Sequence, residues 1–232
     1  RQMFTEHGKC VKSIDAHDKS IWSLVLTKRG ELISAGNRSI KVWNAETCVC
    51  VRELTGHEGI VGALVMDKSG ELLVSGSFDR TIKVWNTETG KCVTTLTGHK
   101  RDVTALAVGL KGELYSGSTD KTVKVWDIAS ASFLKTLYGH DDYVNVVLVG
   151  REQDQLFSGS SDCTIKVWNT ETAKCLRTIS GHSNSVLSLA LDEKDQLISG
   201  SSDRSIKVWN VNEERCVRTL YGHEDSVFAL RF

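Results

Sequence analysis

The sequence predicts an all-β propeller of four-stranded antiparallel blades, and three observations carry that prediction. Six histidines, His17, His57, His99, His140, His182 and His223, stand 40, 42, 41, 42 and 41 residues apart. Five of the six tryptophans, Trp43, Trp85, Trp126, Trp168 and Trp209, step by 42, 41, 42 and 41. Between these markers the stretches "ELLVSGSFDRTIKVWN", "ELYSGSTDKTVKVWD" and "QLISGSSDRSIKVWN" are nearly interchangeable. Such a period, filled by short strands, describes a stack of blades rather than one continuous sheet.

Within a unit each strand has its own signal. Three residues after "GH" comes an apolar run such as "IVGALVM", "VTALAV" or "VLSLAL", which supplies the first strand. A turn with Gly or Asp leads to "ELLVSGS", a polar turn to "TIKVWN", and a "TETGK"-type turn to "CVTTL". Each run is short, β-branched or aliphatic, and bounded by turn residues. No stretch keeps a 3.6 periodicity long enough for a helix. Complete blades are expected over 18–55, 58–97, 100–138, 141–180 and 183–221, in a single partial propeller domain spanning 1–232 with no linker. The first unit departs from the pattern. It reads "ISAGNRSIKVWN", one residue short in the turn, with Asn37 where the others have Asp79, Asp120, Asp162 and Asp203, and with Ala16 before His17 instead of Gly.

Composition bounds the function classes. Lys plus Arg and Asp plus Glu balance at 29 each over 232 residues, so no global charge pulls the chain towards nucleic acid or anionic membrane. No apolar run approaches the roughly 20 residues of a membrane span. Proline is absent, so Gly, Asn, Asp, Ser and Thr must make every turn.

The pattern "GH…SGSxDxTIKVWN" resembles the WD-repeat family, of the compact type attached to ubiquitin ligases and to some kinases. Only Trp126-Asp127 carries the literal Trp-Asp pair; the other four repeat tryptophans are followed by Asn. The resemblance implies that Asp, His, Ser and Trp of each unit form a buried hydrogen-bond chain. The four complete sets are His57, Ser75, Asp79 and Trp85; His99, Ser116, Asp120 and Trp126; His140, Ser158, Asp162 and Trp168; and His182, Ser199, Asp203 and Trp209. A Ser-His-Asp hydrolase would have one such set beside one oxyanion site, not the same set in every repeat. The set containing Asn37 is expected to be neutral and weaker, and its blade the most mobile of the complete ones.

Cys10, Cys50, Cys92, Cys175 and Cys216 each stand seven residues before a histidine, and Phe133 takes that place once, which reads as a packing position. Of the seven cysteines, Cys163, in a polar turn, is expected to be the exposed thiol. Metal sites and structural disulfides are not expected, nor any cofactor, and the cysteine usage fits a reducing, intracellular compartment, cytoplasmic or nuclear. Lys41, Lys83, Lys124, Lys166 and Lys207 recur one per blade beside acids and without stacking aromatics, so they read as a solvated face, not a nucleic-acid stripe.

In a repeat scaffold, residues shared by all units make the fold, and those that vary at equivalent positions can specify a partner. On the plan that the resemblance implies, three positions per blade point to the binding face. They hold Ser20, Ile60, Asp102, Tyr143, Ser185 and Ser226; Trp22, Gly62, Thr104, Asn145, Leu187 and Phe228; and Gly36, Phe78, Thr119, Ser161 and Ser202. Trp22, Ile60, Phe78, Asp102, Tyr143, Asn145 and Phe228 are the candidate partner-binding residues, with the aromatic members suited to interface hot spots. The competing reading has Trp22, Leu187 and Phe228 filling the inner wall. None of these positions holds Arg or Lys, which disfavours phosphopeptide reading. The expected function is a non-catalytic protein-interaction scaffold or adaptor, as in the substrate-recruiting region of a ubiquitin ligase or kinase. The alternative, an enzyme centred on the channel, lacks clustered catalytic residues.

The ends break off mid-blade. "KCVKSI" matches an outermost strand and "DSVFALRF" an innermost one, so five complete blades plus two orphan strands are expected, cut from a six- or seven-bladed ring. Such an arc would be prone to associate with itself through its exposed edges.

Overall fold

The computed structural model describes residues 3–4, 10–152 and 154–230, and holds no helix among them. Five four-stranded antiparallel sheets dominate it. Blade one is β3 (Ser23–Leu26), β4 (Glu31–Ala35), β5 (Ser39–Asn44) and β6 (Cys50–Thr55); blade two is β7 (Val61–Met66), β8 (Leu72–Ser77), β9 (Thr81–Asn86) and β10 (Cys92–Thr97). Blade three is β11 (Val103–Val108), β12 (Glu113–Ser118), β13 (Val123–Asp127) and β14 (Ser132–Leu137); blade four is β15 (Val144–Val149), β16 (Gln155–Ser160), β17 (Thr164–Asn169) and β18 (Lys174–Ser180). Blade five is β19 (Val186–Leu191), β20 (Leu197–Ser201), β21 (Ile206–Asn210) and β22 (Arg215–Leu220). Each sheet keeps chain order. The first strands of successive blades meet one another, β3 with β7, β7 with β11, β11 with β15 and β15 with β19, so they are innermost.

The core lies between blades, not within them. Val74, Ile82, Val84 and Leu96 of blade two pack against Val103, Leu114 and Trp126 of blade three. Phe157, Ile165, Val167 and Ile179 of blade four meet Val186, Leu189, Leu197 and Trp209 of blade five in the same way. Trp85, Trp126, Trp168 and Trp209 therefore each seal their blade against the preceding one. The glycine of "SGS" sets the closeness of the seam. A Cβ on Gly76 would stand 2.6 Å from Val103 Cγ1, and one on Gly159 2.6 Å from Val186 Cγ1. A first-strand valine of the next blade fills the space that glycine leaves.

Cationic side chains lace neighbouring blades at their rims. Arg52 Nη1 donates to Glu88 O at 3.3 Å, and Lys135 Nζ to Thr170 O and Glu171 O at 3.0 and 2.8 Å. Lys12 Nζ donates to Glu46 O at the equivalent place on blade one. Lys12 belongs to β2 (Cys10–Lys12), which pairs with β1 (Met3–Phe4) in a two-stranded sheet. The N-terminal outer strand is thus not alone: Met3–Phe4 is a second strand of the same blade remnant. Its signal stood in the sequence, where "TEHGKC" repeats the third-to-fourth-strand turn "TETGKC". At the other end, residues 224–230 form no strand, whereas an innermost strand was expected there. Val227 is nonetheless buried, donates its N–H to Ser201 O at 3.0 Å, and sits against Gly200 as Val103 sits against Gly76.

The cysteine expectation needs correcting. Cys50, Cys92, Cys175 and Cys216 do lie opposite the repeat tryptophans in the ladder, as Phe133 lies opposite Trp126. Cys50, Cys92 and Cys175 are exposed, however, while Cys163 is half-buried. An outermost strand has one uncovered side, so a position there faces solvent even in register with a buried ring. Burial, then the carboxylates of Asp162, Asp203 and Asp142, push the Cys163 thiol up, so it stays protonated and is a poor nucleophile. The lysine series is bonded as well as solvated: Lys83, Lys124, Lys166 and Lys207 donate to Thr95, Thr136, Thr178 and Thr219 on the adjoining strand at 2.8–3.0 Å.

Candidate functional site

Two constellations on one face of the blades could carry function, and the first is the repeated polar chain. In blade two, His57 Nδ1 lies 2.7 Å from Asp79 Oδ2, His57 Nε2 2.7 Å from Ser75 Oγ, and Trp85 Nε1 donates to Ser75 Oγ at 2.8 Å. Blades three, four and five repeat this with Asp120, His99, Ser116 and Trp126; with Asp162, His140, Ser158 and Trp168; and with Asp203, His182, Ser199 and Trp209, at 2.6–2.8 Å throughout. An ionised carboxylate only accepts, so Nδ1 carries the imidazole proton and Nε2 accepts from the serine hydroxyl. Burial pushes His57 and His182 below the ordinary imidazole range, against the pull of Asp79 and Asp203, so they stand neutral. Burial also works to raise Asp79, but hydrogen bonds from Thr81, His57 and the backbone N–H groups of Thr81 and Glu58 outweigh it and hold its carboxyl at about 2. The same balance keeps Asp120, Asp162 and Asp203 well below the usual carboxylate range.

The proton order Ser→His→Asp is that of a hydrolase triad, yet the arrangement cannot serve as one. The four serines are fully buried, and the indole N–H occupies the oxygen that would have to attack. A nucleophile needs an approach path and a nearby oxyanion site. What the chain does is tie the loop before the first strand to the second and third strands. Blade one has a shorter version: His17 Nε2 lies 2.8 Å from Ser34 Oγ and Trp43 Nε1 donates to it at 2.9 Å, while Asn37 is exposed.

The second constellation is the surface these loops present. The first- and third-position residues of a blade are stapled by a backbone hydrogen bond: Phe78 N to Ile60 O at 2.8 Å, Thr119 N to Asp102 O at 3.0 Å, and Ser161 N to Tyr143 O at 2.8 Å. The second-position residue falls in a β-bulge, between Val61 and Ala63, Val103 and Ala105, Val144 and Val146, and Val186 and Ser188. A bulge takes one residue out of the ladder and re-aims its side chain. Asn145 uses that freedom to bond Ser161 Oγ at 3.0 Å and Val186 O at 3.1 Å, so its amide is committed to the seam with blade five. Thr104 Oγ1 likewise donates to Val144 O at 2.5 Å.

Trp22 is 53% exposed, with its ring 5.6 Å from that of Phe78 at a 60° tilt. Trp22 and Phe78 therefore form one aromatic pair across blades one and two, with Ile60 tied to Phe78 through the backbone. Asp102 and the 40%-exposed Tyr143 line a common groove across blades three and four. Phe228 is 72% exposed and joins neither group. Three cations that line this groove, Arg80, Lys100 and Arg101, were missed in the sequence because they stand just outside the three positions compared. Among the described residues no group of three or more His, Cys, Asp or Glu side chains is placed to hold a metal ion. Among the same residues, no helix is long and apolar enough to cross a membrane.

Four-stranded blades in chain order, sealed by tryptophans and pinned by Asp-His-Ser-Trp chains, define a propeller of WD-repeat type. The chain belongs to the WD40 family: the model of the WD domain, G-beta repeat, matches residues 8–44, 48–86, 90–127, 131–169 and 173–210. Each match starts near a fourth strand and ends on the next third strand, so the repeat in sequence is offset from the blade in space. Among solved structures, the one described as "Structure of U3-55K" superposes with a TM-score of 0.83 at 28% identity, over 90% of this chain and 66% of that one. This chain thus spans less than two thirds of that structure's length. No curated protein matches the chain in sequence. Propellers of this family generally serve as protein-interaction scaffolds and are typically non-catalytic.

Proposed function

We propose that this chain is a non-catalytic adaptor that captures a protein partner on the loop face, acting as the substrate-recruiting part of a larger assembly such as a ubiquitin ligase or kinase. The observation that carries the proposal is Trp22: the single tryptophan outside the repeat position is half-exposed and packed at a tilt against Phe78, on the face where equivalent residues vary from blade to blade. A large rigid aromatic that faces solvent suits an interface anchor. The absence of chemistry is part of the proposal, and the buried, indole-capped serines support it. The test is affinity capture and cross-linking from cell extract with wild type and a Trp22→Ala/Tyr143→Ala double variant. The double variant is expected to lose the wild-type partner set while keeping its melting temperature. Unchanged recovery would move the binding surface elsewhere.

A further inference from the structure

The loop face is not electrostatically uniform. After the histidine, the units read Asp18-Lys19, Glu58-Gly59, Lys100-Arg101, Asp141-Asp142, Ser183-Asn184 and Glu224-Asp225. Blade three alone is doubly basic there, and its neighbours in both directions open on an acid. The two cations have company. A groove of about 390 Å³ is lined by Arg80, Lys100, Arg101, Asp102, Thr119 and Tyr143. An adjoining one of about 420 Å³ adds Lys121, Asp120 and Asp142.

The acids at this place are largely engaged by the protein itself. Asp120 accepts from His99, Lys100 N and Thr122, and Asp142 accepts from Tyr143 N. Arg80, Lys100 and Arg101 form no ion pair among the described residues, and only Asp102 faces them in the smaller groove without a side-chain partner. Three cations against one unengaged carboxylate, with the half-exposed Tyr143 beside them, leave this groove with an unbalanced positive charge. Arg80 stands two residues after Phe78 in the same turn, so one turn of blade two contributes both to the Trp22–Phe78 contact and to the basic groove.

We infer that the partner presents an acidic peptide segment, rich in Asp and Glu and carrying one large apolar residue, whose carboxylates pair with Arg80, Lys100 and Arg101 while the apolar residue seats on Trp22 and Phe78. Guanidinium groups bind carboxylates through paired N–H donors, and rim charges of one sign speed encounter and fix register. This inference rests on the loop face being the capture surface and adds the chemistry of what is captured.

The test is selection of short random peptides, displayed on phage and therefore unphosphorylated, on immobilised full chain and on a Lys100→Glu/Arg101→Glu variant. These two side chains are exposed and belong to no hydrogen-bond chain of the fold, so the variant keeps the wild-type melting temperature. Wild type is expected to enrich acidic peptides with an aromatic or leucine anchor, and the variant neutral or basic ones. A synthetic peptide of the wild-type consensus should bind the variant on the order of tenfold more weakly or worse, and should weaken on wild type as salt rises. Enrichment of peptides with no acid excess, or the same acidic consensus on both proteins, would overturn the acidic-partner inference and leave the adaptor reading standing. No enrichment by wild type would also overturn the inference. In that case the separate capture experiment with the Trp22/Tyr143 variant decides the adaptor reading.

Discussion

At the residue scale, the serine of each polar chain is the hub. Ser75 Oγ receives the Trp85 N–H and gives its proton to His57, so its removal leaves two buried partners unsatisfied at once. A buried polar group without a partner costs about 1–3 kcal/mol, and coupled groups lose together. Ser75→Ala is therefore expected to destabilise by about 2–4 kcal/mol, read from the urea unfolding midpoint. Ser34→Ala in blade one should cost less, about 1–2 kcal/mol, because His17 is only partly buried and has no carboxylate to anchor it. Equal losses would mean that the carboxylate adds nothing to the chain. The same groups set the pH response. The folded state holds His57 and His182 below their unfolded value near 6.5, so the unfolded chain binds more protons and stability falls as pH drops below that value. Asp79, held at about 2, adds a second loss as pH falls from its unfolded value near 3.8 towards 2. Melting temperature followed from neutral pH downwards should decline first below about 6.5 and again from about 4 towards 2, and rise in neither window.

At the element scale, the seam between blades depends on a missing side chain. A methyl on Gly76 would press on Val103, which is fully buried and has no room to retreat. Gly76→Ala should cost about 1–3 kcal/mol by overpacking, checked by thermal unfolding. Ala35 already fills that place in blade one against Val61, so Ala35→Gly should cost less, about 0.5–1 kcal/mol. A Gly76→Ala protein of unchanged stability would show that the blades can slide apart at no cost. Strand identity and order were legible in the sequence because "SGS", "IKVW" and the turn residues repeat with the same local chemistry. The bulge that re-aims Gly62, Thr104, Asn145 and Leu187 was not, since alternation in a strand carries no mark of one unpaired residue. Nor was the exposure of Cys92: a residue opposite a buried tryptophan can still face water when its strand is the last in the sheet. Of the candidate face, Trp22 and Phe78 were legible as breaks in the repeat. The Arg80, Lys100 and Arg101 wall was not, because it assembles from two turns of different blades.

At the scale of the whole molecule, stability is a sum of blades and of the seams between them. Among the described residues, blades two, three and four each have a seam on both sides, whereas blade five has one with blade four and otherwise only the Val227 segment against Gly200. Blade one meets blade two and the small β1–β2 sheet through Lys12, and its polar chain lacks the carboxylate. Local opening should then run inward from both ends, since a blade with one strong seam has less to lose on unfolding. Native-state hydrogen exchange is expected to show the amides of β15 (Val144–Val149) best protected and those of β3 (Ser23–Leu26) exchanging first, with β19 (Val186–Leu191) between them. Removing the valine seat should sharpen that gradient: Val227→Ser is expected to speed exchange in β20 (Leu197–Ser201) and leave β12 (Glu113–Ser118) unaffected, because no residue of blade three touches that seam. Protection that is level across all five blades would require blades one and five to close on each other, and would sink the idea of two weak ends.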